Sequence, residues 1–285
     1  MLFADSALVR RIEGAECRLT TDLAATMRVP AGQRPVFVAA IAGGVAVHVG
    51  AEAPFNKLIG AGLHGPLDAP AEAALAAIEK EFDARRAVLQ AEVATLADSS
   101  VVRLLSGRGY ALVGFENVLG LELASAAERL AAAPPSGLSI AGAGEADAEA
   151  WFDTLLTGFQ HADVVPVGES HESFQREALE RALRDMAQVP DFTRYLARVA
   201  GAPAGAAGLR IFDGIAQLCG SATLPAYRRR GAQTALLAHR LLYAHERGCD
   251  VAVITTQPGS KSQENAQRSG FTLLYSRAVL IREPR

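Results

Sequence analysis

The chain has 285 residues, of which 50% are hydrophobic and 21% are charged, and its formal net charge is -3. This composition supports a buried core and excludes a disordered chain, and the slightly acidic balance argues against a nucleic-acid-binding protein, which usually carries a basic excess. No apolar run reaches the length of a bilayer span and the N-terminus shows no signal-peptide core, so we expect a cytoplasmic protein without membrane contact.

The cysteines and histidines predict neither a disulfide framework nor a metal site. The three cysteines, Cys17, Cys219 and Cys249, form no Cys-x-x-Cys pair, and we expect buried small hydrophobic residues in a reducing compartment. Two histidines, His239 and His245, are six residues apart on one predicted helix and therefore face different sides.

In the first half of the chain, helical and strand patterns alternate. Strong helix formers over residues 72–86 predict a helix, and a strand follows over 87–96. A short helix over 101–107 then leads through the pair Gly109-Tyr110 into an apolar stretch over 111–123. The order is therefore helix, strand, helix, glycine-aromatic pair and strand.

A seam rich in alanine, proline and glycine, residues 131–137, divides the chain into parts of similar size. After it the same order of elements returns, over a helix at 231–247, a strand at 251–255, a polar helix at 262–269, Gly270-Phe271 and a strand at 273–281. We therefore predict two diverged copies of one unit, domains 1–133 and 134–285. The alternative is that the seam is an ordinary loop within one domain.

Between the seam and the helix at 231–247, the pattern predicts an α/β arrangement with an antiparallel hairpin that feeds a βαβ unit. The elements are a strand at 138–140, a helix at 147–160, a polar loop at 161–173, a helix at 174–188, strands at 192–199 and 206–212, a tight turn at Asp213-Gly214 and a strand at 215–223.

Three arginines and a glycine, Arg228 to Gly231, stand immediately before the helix at 231–247. The first N–H groups of a helix lack partners and its dipole is positive there, so the position suits an anion such as phosphate. Gly231 allows close approach of a ligand, and the arginines add bidentate donors. The alternative is a solvated charge run beside a turn. A P-loop is excluded, because its Gly-Lys-Ser/Thr ending is missing, and a dinucleotide-binding fingerprint fits poorly, because Gly-x-Gly-x-x-Gly is absent.

In its context, the run RRRGAQ at 228–233 resembles the Arg/Gln-x-x-Gly-x-Gly/Ala motif of the GNAT superfamily of N-acyltransferases. The preceding strand, the long helix, the next buried strand and Asn265 before Gly270-Phe271 follow in the order of that family. The resemblance covers residues 138–283 well, and over 45–123 only the order of elements persists. It implies two GNAT-like domains, each with a mixed, mostly antiparallel central sheet flanked by helices.

The resemblance also implies acetyl-CoA, or a related acyl-CoA, as co-substrate and no metal. The implied cofactor-binding residues are Ala222, Thr223 and Leu224 along the pantetheine arm, Arg229, Arg230, Gly231, Ala232, Gln233 and Thr234 around the pyrophosphate, and Asn265 on the arm. One departure is Gln233, which stands where the family usually has Gly or Ala.

The implied reaction is direct attack of a primary amine on the thioester in a ternary complex, with an N–H near Leu224 stabilising the oxyanion. We assign no catalytic residue. Ala266 stands where the family often has a Tyr acid, and we expect Tyr275 in a core or at its rim. Glu169 and His171 lie in the polar loop that should border the substrate cleft, but each is more often an exposed loop residue.

In the first half, the place of the phosphate motif is taken by Gly60 to Pro66, which contains glycines but no arginine. We therefore expect that this half has lost cofactor binding and that it packs against the other half to shape the substrate cleft. The acceptor is expected to be a small-molecule or protein amine, and nucleic acid is not expected as a partner. An alternative function is a non-catalytic acyl-CoA sensor or scaffold with the same fold, and the oligomeric state stays open.

Overall fold

The computed structural model describes residues 2–27, 34–50, 53, 55–130, 135–161 and 176–285. The helices are α1 (Ser6–Thr26), α2 (Ala69–Ala84), α3 (Ser99–Gly107), α4 (Leu123–Leu130), α5 (Ala148–Gln160), α6 (Arg176–Met186), α7 (Ala232–Glu246) and α8 (Lys261–Arg268). The strands are β1 (Phe37–Ile41), β2 (Gly44–His48), β3 (Lys57–Ile59), β4 (Leu89–Ala94), β5 (Ala111–Glu122), β6 (Leu138–Gly142), β7 (Phe192–Val199), β8 (Ala202–Phe212), β9 (Ile215–Gln217), β10 (Ser221–Thr223), β11 (Val251–Thr256) and β12 (Thr272–Arg282).

The chain forms two compact units, each assembled from separate stretches of sequence. The N-terminal unit contains the described residues of Phe3–Val118, Glu169–Asp185 and Leu273–Arg285. The C-terminal unit contains those of Met1–Leu2, Leu119–Gly168 and Met186–Thr272. The predicted boundary at 133/134 lies outside the described residues, so that division of the sequence stays a prediction.

The sheet of the N-terminal unit has the strand order β1-β2-β3-β4-β12, followed by the first part of β5. In this sheet β2 is antiparallel to β1 and to β3, and β12 is antiparallel to β4, whereas β3 and β4 run parallel with Lys57 opposite Gln90. Helices α2 and α3 cover one face, where Phe82 and Leu105 pack with Leu58. Helix α1 covers the other face, beside Val47 and Ile59.

Beneath α1, charged side chains are buried in this unit. Arg277 Nε donates to Glu13 Oε1 at 2.8 Å, and Tyr275 Oη donates to the same oxygen at 2.6 Å. Lys57 Nζ pairs with Glu92 at 3.1 Å. Buried charges need such partners because removing an isolated charge from water is costly. Tyr275 is therefore a core residue of the N-terminal unit, as the sequence indicated.

The sheet of the C-terminal unit begins with the end of β5 and continues in the order β11-β9-β8-β7-β6, and β10 also pairs with β8. Helix α5 packs on one face, where Trp151 Nε1 donates to the Ala207 carbonyl at 3.0 Å. Helices α4 and α7 pack on the other, where Leu236 and Leu241 join Leu209 in the core. Pairs within β6, β7, β8 and β9 are antiparallel, so the predicted mixed, mostly antiparallel sheet flanked by helices is confirmed.

The predicted single strand over 215–223 is wrong. The structure divides it into β9 and β10, because Cys219 and Gly220 both lie opposite Gly208. Gly208 N is 2.9 Å from the Cys219 carbonyl oxygen and 3.1 Å from that of Gly220. Two residues opposite one define a β-bulge, and the positive φ of 50° at Gly220 suits glycine. We refer to Cys219 and Gly220 as the bulge.

Candidate functional site

A groove opens between β10 and β11 in the C-terminal unit. Strands β9 and β11 are parallel neighbours as far as Gln217 and Val253, and Leu218 N donates to the Val253 carbonyl at 3.0 Å. Beyond this point β10 pairs with β8, and within the described residues no second strand pairs with it. The groove is therefore closed at Leu218 and open toward the end of β10.

The backbone of β10 presents alternate residues to this groove. Ala222 lies opposite Ala206, and Leu224 N donates to the Ala204 carbonyl at 2.9 Å. In an antiparallel pair, residues between two hydrogen-bonded positions direct their N–H and C=O groups to the other edge. Ser221 and Thr223 therefore face the groove, whereas the backbone groups of Ala222 and Leu224 face β8.

This geometry narrows one prediction and adds one residue. The N–H of Leu224 itself already donates to the Ala204 carbonyl, so it is not available as the oxyanion donor that was expected near this residue. Near the closed end the Ser221 N–H faces the groove, and sequence reasoning missed this residue. Gly220, inside a predicted strand, was the available signal, because an isolated glycine in a strand often marks a bulge.

The turn after β10 leads to the N-terminus of α7. A short 3-10 turn, Pro225–Tyr227, follows β10, and Gly231 caps α7 with φ 83° and no side-chain hydrogen bond. Arg229 also has positive φ, at 62°, which is uncommon for a residue with a Cβ. Where right-handed and left-handed backbone conformations alternate, successive N–H groups point to the same concave side, and this side suits an anion. The residues predicted around the pyrophosphate are thus contiguous here, with Ala232 buried and Gln233 and Thr234 exposed.

The three arginines differ in their surroundings. Arg228 Nη2 donates to the His161 carbonyl, and the Arg230 guanidinium stacks over the Tyr227 ring with its Cζ 5.6 Å from the ring centroid. Arg229 and Arg230 are exposed. Two guanidinium groups therefore stand in solvent beside an uncapped helix N-terminus, and all of these groups favour an anion.

Asn265 is brought to the same turn by α8. Ser260 caps this helix by accepting from Gln263 N at 3.2 Å, and Gln263 Oε1 accepts from Gly259 N at 2.7 Å. Asn265 Nδ2 then donates to Gln233 Oε1 at 3.2 Å. The structure thus joins two predicted cofactor residues, and the Gln233 side chain is held toward α8.

Two glycines allow the elements around the groove to approach each other. A Cβ on Gly158 of α5 would collide with the Ala222 Cβ, and a Cβ on Gly231 would lie 3.0 Å from Pro135 Cγ. Neither contact was predicted, since each joins residues far apart in sequence. Together they set the positions of β10 and of the turn at Gly231.

The catalytic acid and base stay unassigned. Glu169 and His171 lie outside the described residues. Ala266 is buried in α8, and Tyr275 belongs to the N-terminal unit, where burial and the Glu13 carboxylate raise the pKa of its phenol. Burial raises the pKa of the Cys249 thiol to about 11, and that of Cys17, half-buried, to about 12.

In the described ranges, no group of three or more His, Cys, Asp or Glu side chains could hold a metal ion. None of the helices in the same ranges combines the length and apolarity that crossing a bilayer requires.

The corresponding place in the N-terminal unit is built differently. Gly62 N donates to the Ala42 carbonyl at 3.1 Å, and Asp98 N donates to that of Gly62 at 2.9 Å, so this turn is tied to its neighbours. Asp68 caps α2 by accepting from Ala71 N at 3.0 Å. The Asp68 carboxylate therefore occupies the N-terminus of α2, whereas the N-terminus of α7 has Gly231, which offers no side-chain acceptor.

The comparisons with known proteins agree with this architecture. A family model described as "Acetyltransferase (GNAT) family" matches residues 152–271. A GCN5-related N-acetyltransferase from Kribbella flavida has a TM-score of 0.67 at 20% identity, covering 97% of this chain and 95% of its own. No curated protein matches the sequence.

Two further solved structures span nearly the whole chain. A tandem GNAT protein from the clavulanic acid biosynthesis pathway has a TM-score of 0.65 at 16% identity and covers 100% of this chain and 97% of its own. FemX has a TM-score of 0.54 at 10% identity, with 96% of each chain covered. At these identities the likeness concerns the fold, and it extends over both units.

Proposed function

We propose, from the match of residues 152–271 to the GNAT acetyltransferase family model, that the protein transfers an acetyl group from acetyl-CoA to a primary amine. One observation carries the proposal, namely the groove between β10 and β11 that leads to the uncapped N-terminus of α7. It offers strand-edge backbone groups for an extended arm and helix N–H groups for a diphosphate.

In this proposal the diphosphate binds at the start of α7. The groups that would hold it are the backbone N–H groups of Arg229, Arg230, Gly231, Ala232, Gln233 and Thr234, helped by the two exposed guanidinium groups. An uncapped N-terminus fits an anion because its first N–H groups lack side-chain acceptors. No acidic residue lies in the first turn of α7 to oppose the anion.

The pantetheine arm would extend along β10 from the turn toward the closed end of the groove. Thr223 and Ser221 would exchange backbone hydrogen bonds with its amides, in the manner of an added strand. Ala222 and Leu224 would contribute contacts beside them, and Asn265 would donate its side-chain amide from α8. The thioester would then lie near Leu218, where the groove ends.

The chemical step is direct acyl transfer. The nitrogen of the neutral amine forms a bond to the thioester carbonyl carbon, the carbonyl oxygen takes negative charge, and the Ser221 N–H stabilises that oxyanion. The carbon–sulfur bond then breaks and the thiolate leaves, which is tolerable unaided for a thiol of pKa about 8.5. The amine proton passes to a base or to water, which completes the transfer to an amide.

A second candidate function is a non-catalytic acyl-CoA sensor or scaffold. It is favoured by Ala266, which stands where the resemblance suggests a tyrosine acid, and by Tyr275, whose hydroxyl donates to Glu13 in the N-terminal unit.

In the main proposal the N-terminal unit does not bind the cofactor. This is supported by Asp68, whose carboxylate caps the N-terminus of α2. The acceptor is a small-molecule or protein amine, and a cytoplasmic location stays a prediction.

The test is calorimetry with acetyl-CoA followed by measurement of thiol release with a panel of small and peptidic amines. Binding with turnover on at least one amine supports the enzyme. Binding with no turnover on any amine favours the sensor. Failure to bind acetyl-CoA and CoA would contradict both. Retention on DNA at low salt would reopen nucleic acid as a partner.

A further inference from the structure

An arginine is buried in the core of the C-terminal unit, and none of the described carboxylates is its partner. Arg240 of α7 is 2% exposed. Its Nη1 donates to the Gly208 carbonyl at 2.8 Å and its Nε donates to the Leu236 carbonyl at 3.2 Å. In the described part of the chain, no Asp or Glu forms an ion pair with it. Buried arginines are normally paired, because an uncompensated buried charge is costly.

Arg240 nevertheless keeps its charge at neutral pH. Burial lowers the pKa of its guanidinium to about 10, which is still well above 7. The titratable groups that act on it are the Cys219 thiol and the Tyr195 phenol, and neither is a carboxylate. A full positive charge is therefore held inside this unit next to the bulge.

Gly208 links Arg240 to the bulge. The Gly208 carbonyl accepts from Arg240 Nη1 and also from Cys219 N at 3.2 Å. Its N–H lies within bonding distance of the carbonyls of Cys219 and Gly220. A Cβ on Gly208 would collide with the Phe192 ring. Gly208 is thus held through its carbonyl by Arg240 and Cys219, through its N–H by both bulge residues, and it packs beside an aromatic ring.

The bulge lies at the closed end of the groove. It follows Leu218, whose N–H closes the groove against Val253, and it precedes Ser221, whose N–H faces the groove. An extended arm that starts at the turn of Gly231 and follows β10 reaches this end last. Its acyl end would lie there, and negative charge that develops on it would lie near the guanidinium.

We propose that Arg240 is a positioning residue for acyl transfer, which holds the bulge so that the Ser221 N–H meets the thioester oxygen and which places a buried positive charge near it. This inference rests on the function proposed above. Preorganised donors and charges act in the transition state more than in the ground state, so Arg240 contributes to the rate of transfer and little to cofactor affinity.

Three substitutions separate the contributions of charge and hydrogen bonding. Arg240→Lys keeps the charge, Arg240→Gln keeps a donor without the charge, and Arg240→Met removes both. Arg247→Met is the matched control, because Arg247 lies just after the same helix, is exposed and stacks on Tyr243, so the protein loses the same charge at its surface. For each variant we would measure the CoA dissociation constant by calorimetry, kcat and KM for acetyl-CoA, and the thermal midpoint.

We expect Arg240→Met to lower kcat by about 10- to 100-fold, with a CoA dissociation constant within about threefold of wild type. The loss is smaller than the roughly 100- to 1000-fold of a removed oxyanion donor, because Arg240 acts on that donor through the bulge. Arg240→Lys should recover most of kcat and Arg240→Gln less, and Arg247→Met should match wild type. A kcat of Arg240→Met equal to wild type would overturn the inference. So would parallel losses of kcat, CoA affinity and thermal midpoint in all three variants, which a merely structural residue would produce.

If Arg240→Met does not fold, the Lys and Gln variants decide the question. Wild-type kcat in both would overturn the inference, and a lower kcat in Gln than in Lys at equal CoA affinity would support it. The wild-type protein tests the proposed function separately. If it turns over acetyl-CoA and the variants match it, the function stands and the role of Arg240 fails.

Discussion

The side chains of Asn265 and Gln233 are joined by a hydrogen bond of 3.2 Å, from Nδ2 of the first to Oε1 of the second. This bond links α8 to the first turn of α7. It holds the exposed Gln233 side chain against Asn265 of α8. Gln233 is larger than the glycine or alanine that the GNAT motif usually has at this position, but held in this way it is compatible with a ligand at the turn.

The first prediction concerns that pair. Gln233→Ala should leave acetyl-CoA affinity within about threefold of wild type, because the side chain does not fill the phosphate position. Asn265→Ala should weaken binding, and in a double-mutant cycle the coupling should stay below about 1 kcal/mol, as expected of an exposed hydrogen bond. Calorimetry on the two single variants and the double variant provides the measurement. A tenfold gain of affinity in Gln233→Ala would mean that this side chain crowds the diphosphate.

A second prediction compares the two glycines at the ends of α7. Gly231 has φ 83° and Gly248 has φ 80°, so an alanine at either position costs about 1–2 kcal/mol of backbone strain. Only Gly231→Ala moves the predicted phosphate turn, since its Cβ would also press on Pro135. We expect similar losses of unfolding free energy in both variants and a loss of acetyl-CoA affinity of tenfold or more in Gly231→Ala alone. Equal affinities would show that the diphosphate binds elsewhere.

Sequence reasoning was most successful where local rules decide the outcome. The predicted helix at 231–247 is observed as Ala232–Glu246, and the predicted strand at 251–255 as Val251–Thr256. The signals for this helix are the helical spacing of its apolar residues, Gly231 at its N-cap and Gly248 after its C-terminus, and all of them are local in sequence. The same applies to the turn at Asp213-Gly214, where both residues have positive φ.

Other features depend on partners far away in sequence and could not be predicted in this way. Strand β12, at the end of the chain, pairs with β4 in the N-terminal unit, with Arg277 opposite Ala94. Arg277 and Arg240 are buried, although arginine in a sequence pattern indicates an exposed position. Helix α1 was missed for a different reason, because Asp5 at its N-cap and the helical spacing of Leu8, Ile12, Ala15 and Leu19 are local signals that the sequence already contained.

The third prediction concerns the N-terminal unit, which should not bind the cofactor. Calorimetry should give a stoichiometry of one acetyl-CoA per chain. His64→Ala, in the turn at the corresponding place, should leave the affinity unchanged. Asp68→Ala should lower the free energy of unfolding by about 1 kcal/mol through loss of the helix cap, without creating a second site. Two molecules bound per chain would contradict this prediction.

A fourth prediction tests whether Tyr275 takes part in catalysis. Its hydroxyl donates to Glu13 Oε1 at 2.6 Å in a buried site, beside Arg277 Nε on the same oxygen. Tyr275→Phe should therefore leave kcat unchanged and lower the free energy of unfolding by about 1–3 kcal/mol, since a buried carboxylate loses a donor. Steady-state rates and urea unfolding measure the two effects. A tenfold fall in kcat at unchanged stability would identify Tyr275 as the missing acid.

The last prediction concerns the pH dependence of stability and rests on His48. This side chain is buried, with its ring 5.4 Å from that of Phe82, and burial together with the Arg85 charge lowers its pKa to about 4. The unfolded chain binds a proton at His48 below about pH 6.5, whereas the folded chain does so only below about pH 4. The free energy of unfolding should therefore fall as the pH drops from 6.5 to 4, by on the order of 3 kcal/mol from this residue. Urea titrations at several pH values give the free energy of unfolding as a function of pH. Between pH 6.5 and 4 this free energy should fall less steeply in His48→Gln than in wild type, whereas the exposed control His245→Gln should follow wild type. An equally steep fall in His48→Gln would mean that other groups cause the loss of stability in acid.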